Sequence, residues 1–303
     1  MTIYITEPDD IDGESVALLR QHGHLVISEE REASLRATEI GALFVRTYTQ
    51  VDTVYLDRYP AVKFVLRAGV GLDNIDTVEC KKRDIVVINA PGANANAVAE
   101  YVVGAVIFLL RMFGEQSMSL RAGGWRERVH IGTELKGKTL GLVGCGAIGQ
   151  LIAHKLSCWE LRECIGYDPY LTEEQLRAAG IRKVGLAEIW EQSNIISLHL
   201  PLIPETRHSI GAAEFACMKK GTLLVNAARG GIVDESALII ALQNGTLRGA
   251  VLDVFEYEPT VPAEFLTLPN VLLTPHIAGY TAEADKEVSL APVRELLRRI
   301  EGQ

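Results

Sequence analysis

The sequence has little that would suit it to a membrane, an oxidising compartment or a polyanion. Its five cysteines, Cys80, Cys145, Cys158, Cys164 and Cys217, form no CxxC pair and no Cys/His cluster with metal-ligand spacing, so neither a disulfide framework nor a bound metal is expected. Most of them sit among apolar neighbours and read as buried free thiols, as in a reducing, cytoplasmic setting. The start, MTIYITEPDD, lacks the basic and apolar regions of a signal peptide. The one long apolar stretch, Ala97 to Leu110, contains Glu100 and is too short to cross a bilayer comfortably, which predicts a buried helix and no membrane partner. With 30 Lys and Arg against 39 Asp and Glu, the formal charge is −9, and the basic residues are scattered. That balance excludes a phosphate-backbone footprint, so no nucleic-acid partner is expected. A few well-placed arginines could still bind a small anion.

What is present is an alternation of short β-branched runs with amphipathic segments. At 303 residues the chain exceeds the usual single-core size, and two α/β domains are the natural expectation. Ile3–Ile5, Leu25–Ile27, Ala42–Val45, Val62–Leu66 and Ile85–Ile88 read as strands of a first, mostly parallel sheet, with a helical pattern at Gly13–Gln21. A turn-like break at Asn89-Ala-Pro-Gly-Ala precedes the apolar helix, expected from about Asn94 to Phe113. Strands are then expected at Thr139–Val143, Cys164–Tyr167, Ile195–Leu198, Leu223–Val225, Gly249–Leu252 and Val271–Leu273. Helical patterns at Ile148–Leu156, Thr172–Ala179 and Asp234–Gln243 separate several of them, the rhythm of a doubly wound fold.

Strand Thr139–Val143 runs into Gly144-Cys-Gly-Ala-Ile-Gly149 and then a helix. In this GxGxxG, Gly144 permits the tight turn, Gly146 lets the backbone approach a pyrophosphate, and Gly149 allows close helix–strand packing. A bare GxGxxG says little. Here the next strand ends at Asp168, about 20 residues on, where a carboxylate can bond an adenosine ribose and would repel a ribose phosphate. The combination predicts NAD as cofactor in preference to NADP.

The chain also resembles the D-isomer-specific 2-hydroxy acid dehydrogenase family over nearly its whole length. The resemblance rests on Arg67-Ala-Gly-Val-Gly-Leu-Asp-Asn-Ile-Asp76, Gly144–Gly149, Leu198-His-Leu-Pro-Leu202 with Thr206, Asn226-Ala-Ala-Arg-Gly-Gly-Ile-Val-Asp234, Asp253-Val-Phe-Glu-Tyr-Glu-Pro259 and Thr274-Pro-His-Ile-Ala278. It implies a Rossmann-type NAD domain, residues 93–278, inserted in a flavodoxin-like substrate domain formed by residues 1–92 and 279–303. It also implies that Arg229 binds the substrate carboxylate and polarises the carbonyl, that His276 exchanges the proton, and that Glu258, before Pro259, partners His276; Glu256 is the weaker candidate. By the same resemblance Ala147, Ile148, Leu200, Thr206, Ala227, Asp253 and Ala278 line the cofactor pocket. The Ala68–Gly71 loop, with Val70 and Gly71, would offer backbone N–H groups to the substrate. The apolar helix would then fit a homodimer interface.

Within the family, Val45-Arg-Thr-Tyr-Thr49, Arg67-Ala-Gly, Trp125, Gly132-Thr-Glu-Leu-Lys-Gly-Lys-Thr139 and Met218-Lys-Lys-Gly221 resemble the 3-phosphoglycerate dehydrogenases. That likeness makes Arg46 and Arg67, joined by Arg126 across a dimer, anchors for a substrate phosphate. Val70 and Ala278-Gly-Tyr280 depart from their pattern. Glyoxylate, hydroxypyruvate, D-lactate and erythronate 4-phosphate stay open as substrates, as does an NAD(H)-binding corepressor-like module.

Overall fold

The computed structural model describes residues 1–126 and 131–302. The chain divides into two compact units, Met1–Asn94 with Tyr280–Gln303, and Ala95–Gly279. The second is thus inserted along the chain between the two segments of the first.

In the first unit, β1 (Thr2–Ile5), β2 (Leu25–Ile27), β3 (Ile40–Val45), β4 (Phe64–Arg67) and β5 (Val86–Ile88) form a parallel sheet of order β2-β1-β3-β4-β5. This is the flavodoxin-like order. The strands are short and β-branched because both faces are covered, as parallel sheets require. On one face Ile3, Ile5, Phe44 and Leu66 pack with Val293, Leu296 and Leu297. Those last three belong to a helix, Ala282–Glu301, that sequence pattern did not reveal.

In the second unit, β6 (Thr139–Val143), β7 (Glu163–Tyr167), β8 (Arg182–Lys183), β9 (Ile195–Leu198), β10 (Thr222–Asn226), β11 (Leu247–Leu252) and β12 (Val271–Leu273) are all parallel, in the order β12-β11-β10-β9-β6-β7-β8. The order reverses between β6 and β9, so their carboxyl ends flank the crevice at which open α/β sheets bind ligands. β6 is buried at every position.

The apolar helix is shorter than expected. It runs Ala95–Leu110, and Met112, at φ 54°, turns the chain into a separate helix, Phe113–Arg121, bent by 56° from the first. Among the described residues no single helix is long and apolar enough to cross a membrane. The cysteines also depart from expectation: Cys80 and Cys145 are buried, Cys164 is half-buried, and Cys158 and Cys217 are exposed.

Candidate active site

The glycine turn lies at the carboxyl end of β6. Gly144 has φ 89°, and a Cβ there would lie 2.3 Å from the His199 carbonyl oxygen after β9. A Cβ on Gly149 would lie 2.7 Å from the Gly144 carbonyl oxygen. Both positions therefore exclude a side chain so that β6, β9 and the helix Ala147–Leu156 can meet. Gly146 is different, because nothing lies within 4 Å of its absent Cβ. It is also the N-cap of that helix and makes no side-chain cap bond. Open space thus faces N–H groups with no side-chain cap, at the positive end of a helix dipole, the chemistry that a pyrophosphate needs.

Asp168, 9% exposed, does more than await a ribose. Its Oδ2 accepts from the Cys145 amide at 2.9 Å, and its Oδ1 accepts from the amides of Tyr170 at 2.9 Å and Leu171 at 3.2 Å. A carboxylate offers about four acceptor sites, so these bonds set the turn and leave capacity for a hydroxyl. The residues present fit NAD. Ala147 and Ile148 open the helix, and Leu200 and Ala227 follow β9 and β10, half-buried. Thr206 bonds its own loop: its hydroxyl donates to Pro201 O at 2.7 Å and accepts from the Ile203 amide at 2.9 Å.

The ends of β10, β11 and β12 bring Arg229, Glu258 and His276 together. His276 Nδ1 lies 2.9 Å from Glu258 Oε2, and Glu258 Oε1 accepts from the Phe255 amide at 3.0 Å. The Glu258 hydrogen bond, with the charges of Glu258 and Asp253, raises the His276 pKa above its ordinary value against burial and the opposing Arg229 charge. Burial works to raise the Glu258 carboxyl, but the bonds from His276 and Phe255, with the charges of His276 and Arg229, bring it below the usual value. Arg229 thus acts electrostatically on both partners. Its Nη1 donates to Ala228 O at 2.7 Å, and its carbonyl accepts from Asn226 Nδ2 at 3.0 Å. The next residue explains the approach: a Cβ on Gly230 would lie 1.9 Å from Phe255 O. Only glycine lets the Arg229 segment lie against the loop that carries Glu258.

Two neighbouring acids have tasks that the sequence did not show. Asp253, expected as a pocket-lining residue, is fully buried. Its Oδ1 accepts from the Thr274 hydroxyl at 2.6 Å and the Ile277 amide at 2.8 Å, its Oδ2 from the Ala278 amide at 2.7 Å, and its carbonyl from the His276 amide at 2.8 Å. It therefore anchors the loop in which His276 is held at φ 56°, a left-handed conformation that persists only when its surroundings enforce it. Ala278, likewise expected to line the pocket, is 3% exposed and serves that anchor through its amide. Tyr101 extends the network, its hydroxyl 2.5 Å from Thr274 Oγ1; no sequence motif pointed to it. Glu256 is no partner of His276. It pairs with Arg207 at 2.5 Å and His208 at 2.9 Å, while its amide donates to Glu235 at 2.8 Å.

The other expected residues come from other parts of the chain. Arg126 is exposed after the helix Phe113–Arg121, in the second unit. In the first unit, Arg67 ends β4 and folds over Gly69, where a Cβ would sit 1.1 Å from its Nη1. The Gly69 amide donates to Arg67 O, which leaves those of Val70 and Gly71 as the loop's candidate donors. Arg46 follows β3 with its guanidinium engaged by Asp285 and the Asp10 carbonyl.

Comparison with known proteins gives the family. Residues 103–278 match the D-isomer specific 2-hydroxyacid dehydrogenase, NAD binding domain. The chain is 36% identical to a D-3-phosphoglycerate dehydrogenase of Methanocaldococcus jannaschii, over 99% of this chain but 58% of that protein. It spans about half to three-fifths of the length of the phosphoglycerate dehydrogenases that it matches, 50% in the Bacillus subtilis protein. A hydroxypyruvate reductase of Thermotoga maritima is 38% identical over 96% of both chains. The crystal structure of a glyoxylate reductase from Paecilomyes thermophila superposes with a TM-score of 0.89 at 28% identity, covering 99% of this chain and 95% of that one. The chain belongs to the D-isomer-specific 2-hydroxyacid dehydrogenase family, and its second unit is that family's NAD-binding domain.

Proposed function

We propose that the protein interconverts D-2-hydroxy acids and 2-keto acids, with NAD supplying or accepting the hydride when bound. The observation that carries this reading is the 2.9 Å pair of His276 Nδ1 and Glu258 Oε2, under the Arg229 charge. With Nδ1 held by the carboxylate, Nε2 is the ring nitrogen left to exchange a proton. In reduction, His276 donates that proton to the carbonyl oxygen; in oxidation it takes the hydroxyl proton back. Arg229 offers a planar donor fork to the substrate carboxylate and polarises the adjoining carbonyl. Glu258 keeps the imidazole oriented and favours its protonated form. The helix N-terminus at Gly146 and the Asp168 carboxylate would hold the cofactor's pyrophosphate and ribose.

The named relatives support more than one substrate. 3-Phosphoglycerate with 3-phosphohydroxypyruvate follows from the phosphoglycerate dehydrogenases. Hydroxypyruvate follows from the hydroxypyruvate reductase, matched over 96% of both chains, and glyoxylate from the glyoxylate reductase. A cytoplasmic homodimer belongs to the same reading. The free cysteines fit a reducing compartment. Phe113, Met118, Leu120, Trp125 and Ile131 offer exposed apolar area for a second copy to cover, and a monomer in sedimentation would refute the dimer.

NADH consumption with a panel of 2-keto acids, including 3-phosphohydroxypyruvate, tests the enzyme. Turnover with at least one acid, and its loss in His276→Ala with NADH binding retained, is expected. No turnover with any acid would leave an NAD(H)-binding module and sink the proposal.

A further inference from the structure

Glu256 stands on the segment that carries Glu258, the partner of His276, yet its carboxylate serves a different set of groups within the second unit. Its Oε1 pairs with Arg207 Nη2 at 2.5 Å and its Oε2 with His208 Nε2 at 2.9 Å. The Glu256 side chain is 10% exposed, against 49% for Arg207 and 42% for His208. A carboxylate so far withdrawn from water needs a partner on each oxygen, and two surface groups reach in to supply them.

The pairing joins the loops that follow β9, β10 and β11. Arg207 and His208 stand on the first. The His208 amide donates to Gly231 O, on the second loop, at 2.7 Å, and His208 itself is held at φ 49°, a left-handed conformation that its surroundings must enforce. Gly231 follows Arg229 and Gly230, and a Cβ on it would lie 3.6 Å from Arg207 Nη1 and 3.8 Å from Glu256 Cγ. On the third loop, successive amides are fixed by carboxylates: Phe255 donates to Glu258 Oε1 at 3.0 Å and Glu256 to Glu235 Oε1 at 2.8 Å. The carbonyl between those amides, Phe255 O, is the one that lies against Gly230. Turning this stretch would carry the Phe255 amide off Glu258, and with it the bond that leaves the other Glu258 oxygen aimed at His276.

The charges form a cluster of their own. Burial, with the charges of Glu256 and Asp234, pushes the Glu235 carboxyl above its ordinary value, against the Glu256 amide and the His208 charge. The charges that act on His276 are those of Glu258, Asp253 and Arg229.

We infer that Glu256 is a positioning residue: by tying Arg207 and His208 to the Phe255–Glu258 segment, it fixes the amide that aims Glu258 at His276. The inference rests on the proposed function, in which His276 exchanges the proton and Glu258 orients it.

The test is the pH profile of kcat/KM for reduction of the 2-keto acid that the full chain turns over fastest, at saturating NADH, in Glu256→Gln and in Arg207→Ala. These changes alter the local charge in opposite senses. Loss of the Glu256 charge alone would lower the His276 pKa, and loss of the Arg207 charge alone would raise it. A loosened segment weakens the Glu258 bond to His276 in both. Both variants should therefore move the alkaline limb to lower pH by about half a unit or more, with kcat at neutral pH down about tenfold and NADH binding retained. A limb that stays in place in either protein, or limbs that move in opposite directions, overturn the inference. Arg207→Ala, at a half-exposed position, decides the matter even where Glu256→Gln fails to fold, since charge loss alone would move its limb upward. Absence of wild-type turnover with every acid would instead remove the proposed function itself.

Discussion

Replacing Asp253 with Asn tests whether the loop that carries His276 is held from beneath. The native carboxylate is fully buried and accepts from the Thr274 hydroxyl, the Ile277 amide and the Ala278 amide. Bonds to a charged group contribute about 1.5–3 kcal/mol each. In the variant one oxygen can still serve Thr274 and Ile277, without the charge. The new NH2 group then faces the Ala278 N–H, donor against donor, and flipping the amide moves the conflict to the other oxygen. One bond is lost, a buried donor is unpaired and two bonds are weakened, for a cost of about 3 kcal/mol. For a unit of this size that lowers its unfolding midpoint by about 6–12 °C. The larger effect should be on chemistry, because His276 keeps its left-handed backbone only through this loop. A misplacement of about 1 Å costs on the order of 100-fold in rate. Steady-state kinetics, NADH titration and a thermal melt on the same preparation separate the effects. The expected result is a large fall in kcat with NADH affinity less affected. An unchanged kcat together with an unchanged melt would refute the anchoring role.

Glu258→Gln should move the alkaline limb of keto-acid reduction to lower pH, because the bond that raises the His276 pKa is weakened and burial and Arg229 then oppose protonation; a pH profile of kcat/KM with an unmoved limb would rule this out. The same pair gives a stability signature. The share owed to His276 is complete below its ordinary pKa and fades as pH rises through the raised one. The share owed to Glu258 is present above its ordinary pKa and fades as pH falls through the lowered one. Gly230→Ala should reduce kcat/KM on the order of 100-fold while NADH still binds, since its Cβ would force the Arg229 segment away from Phe255; wild-type kinetics would show that the close approach is dispensable.

Much of this was legible where the chemistry is local. The glycine turn, the strand before it and Asp168 lie within one βαβ unit, and buried parallel strands announce themselves by short, largely apolar runs, as at β6 and β9. β8 was not legible, because Arg182 and Lys183 form a two-residue edge strand with no apolar pattern. Pro292 stands inside the helix Ala282–Glu301 and interrupts its helical reading. The apolar run to Phe113 gave no hint that Met112 would break it. Roles set by distant partners were invisible as well. Asp253 and Glu256 differ little in sequence from pocket residues, and only their contacts with Thr274, Arg207 and His208 show what they hold.

The inserted topology also sets an order on synthesis. The sheet of the first unit leaves the ribosome before the second unit, yet the helix that covers Ile3, Ile5, Phe44 and Leu66 is made only after it. At about 5–20 residues per second, the intervening unit takes on the order of ten seconds or more to emerge. Throughout that interval one face of the early sheet is bare and open to chaperones or to misassociation. The second unit, contiguous in sequence, can close its core before the first unit, begun earlier, receives its covering helix.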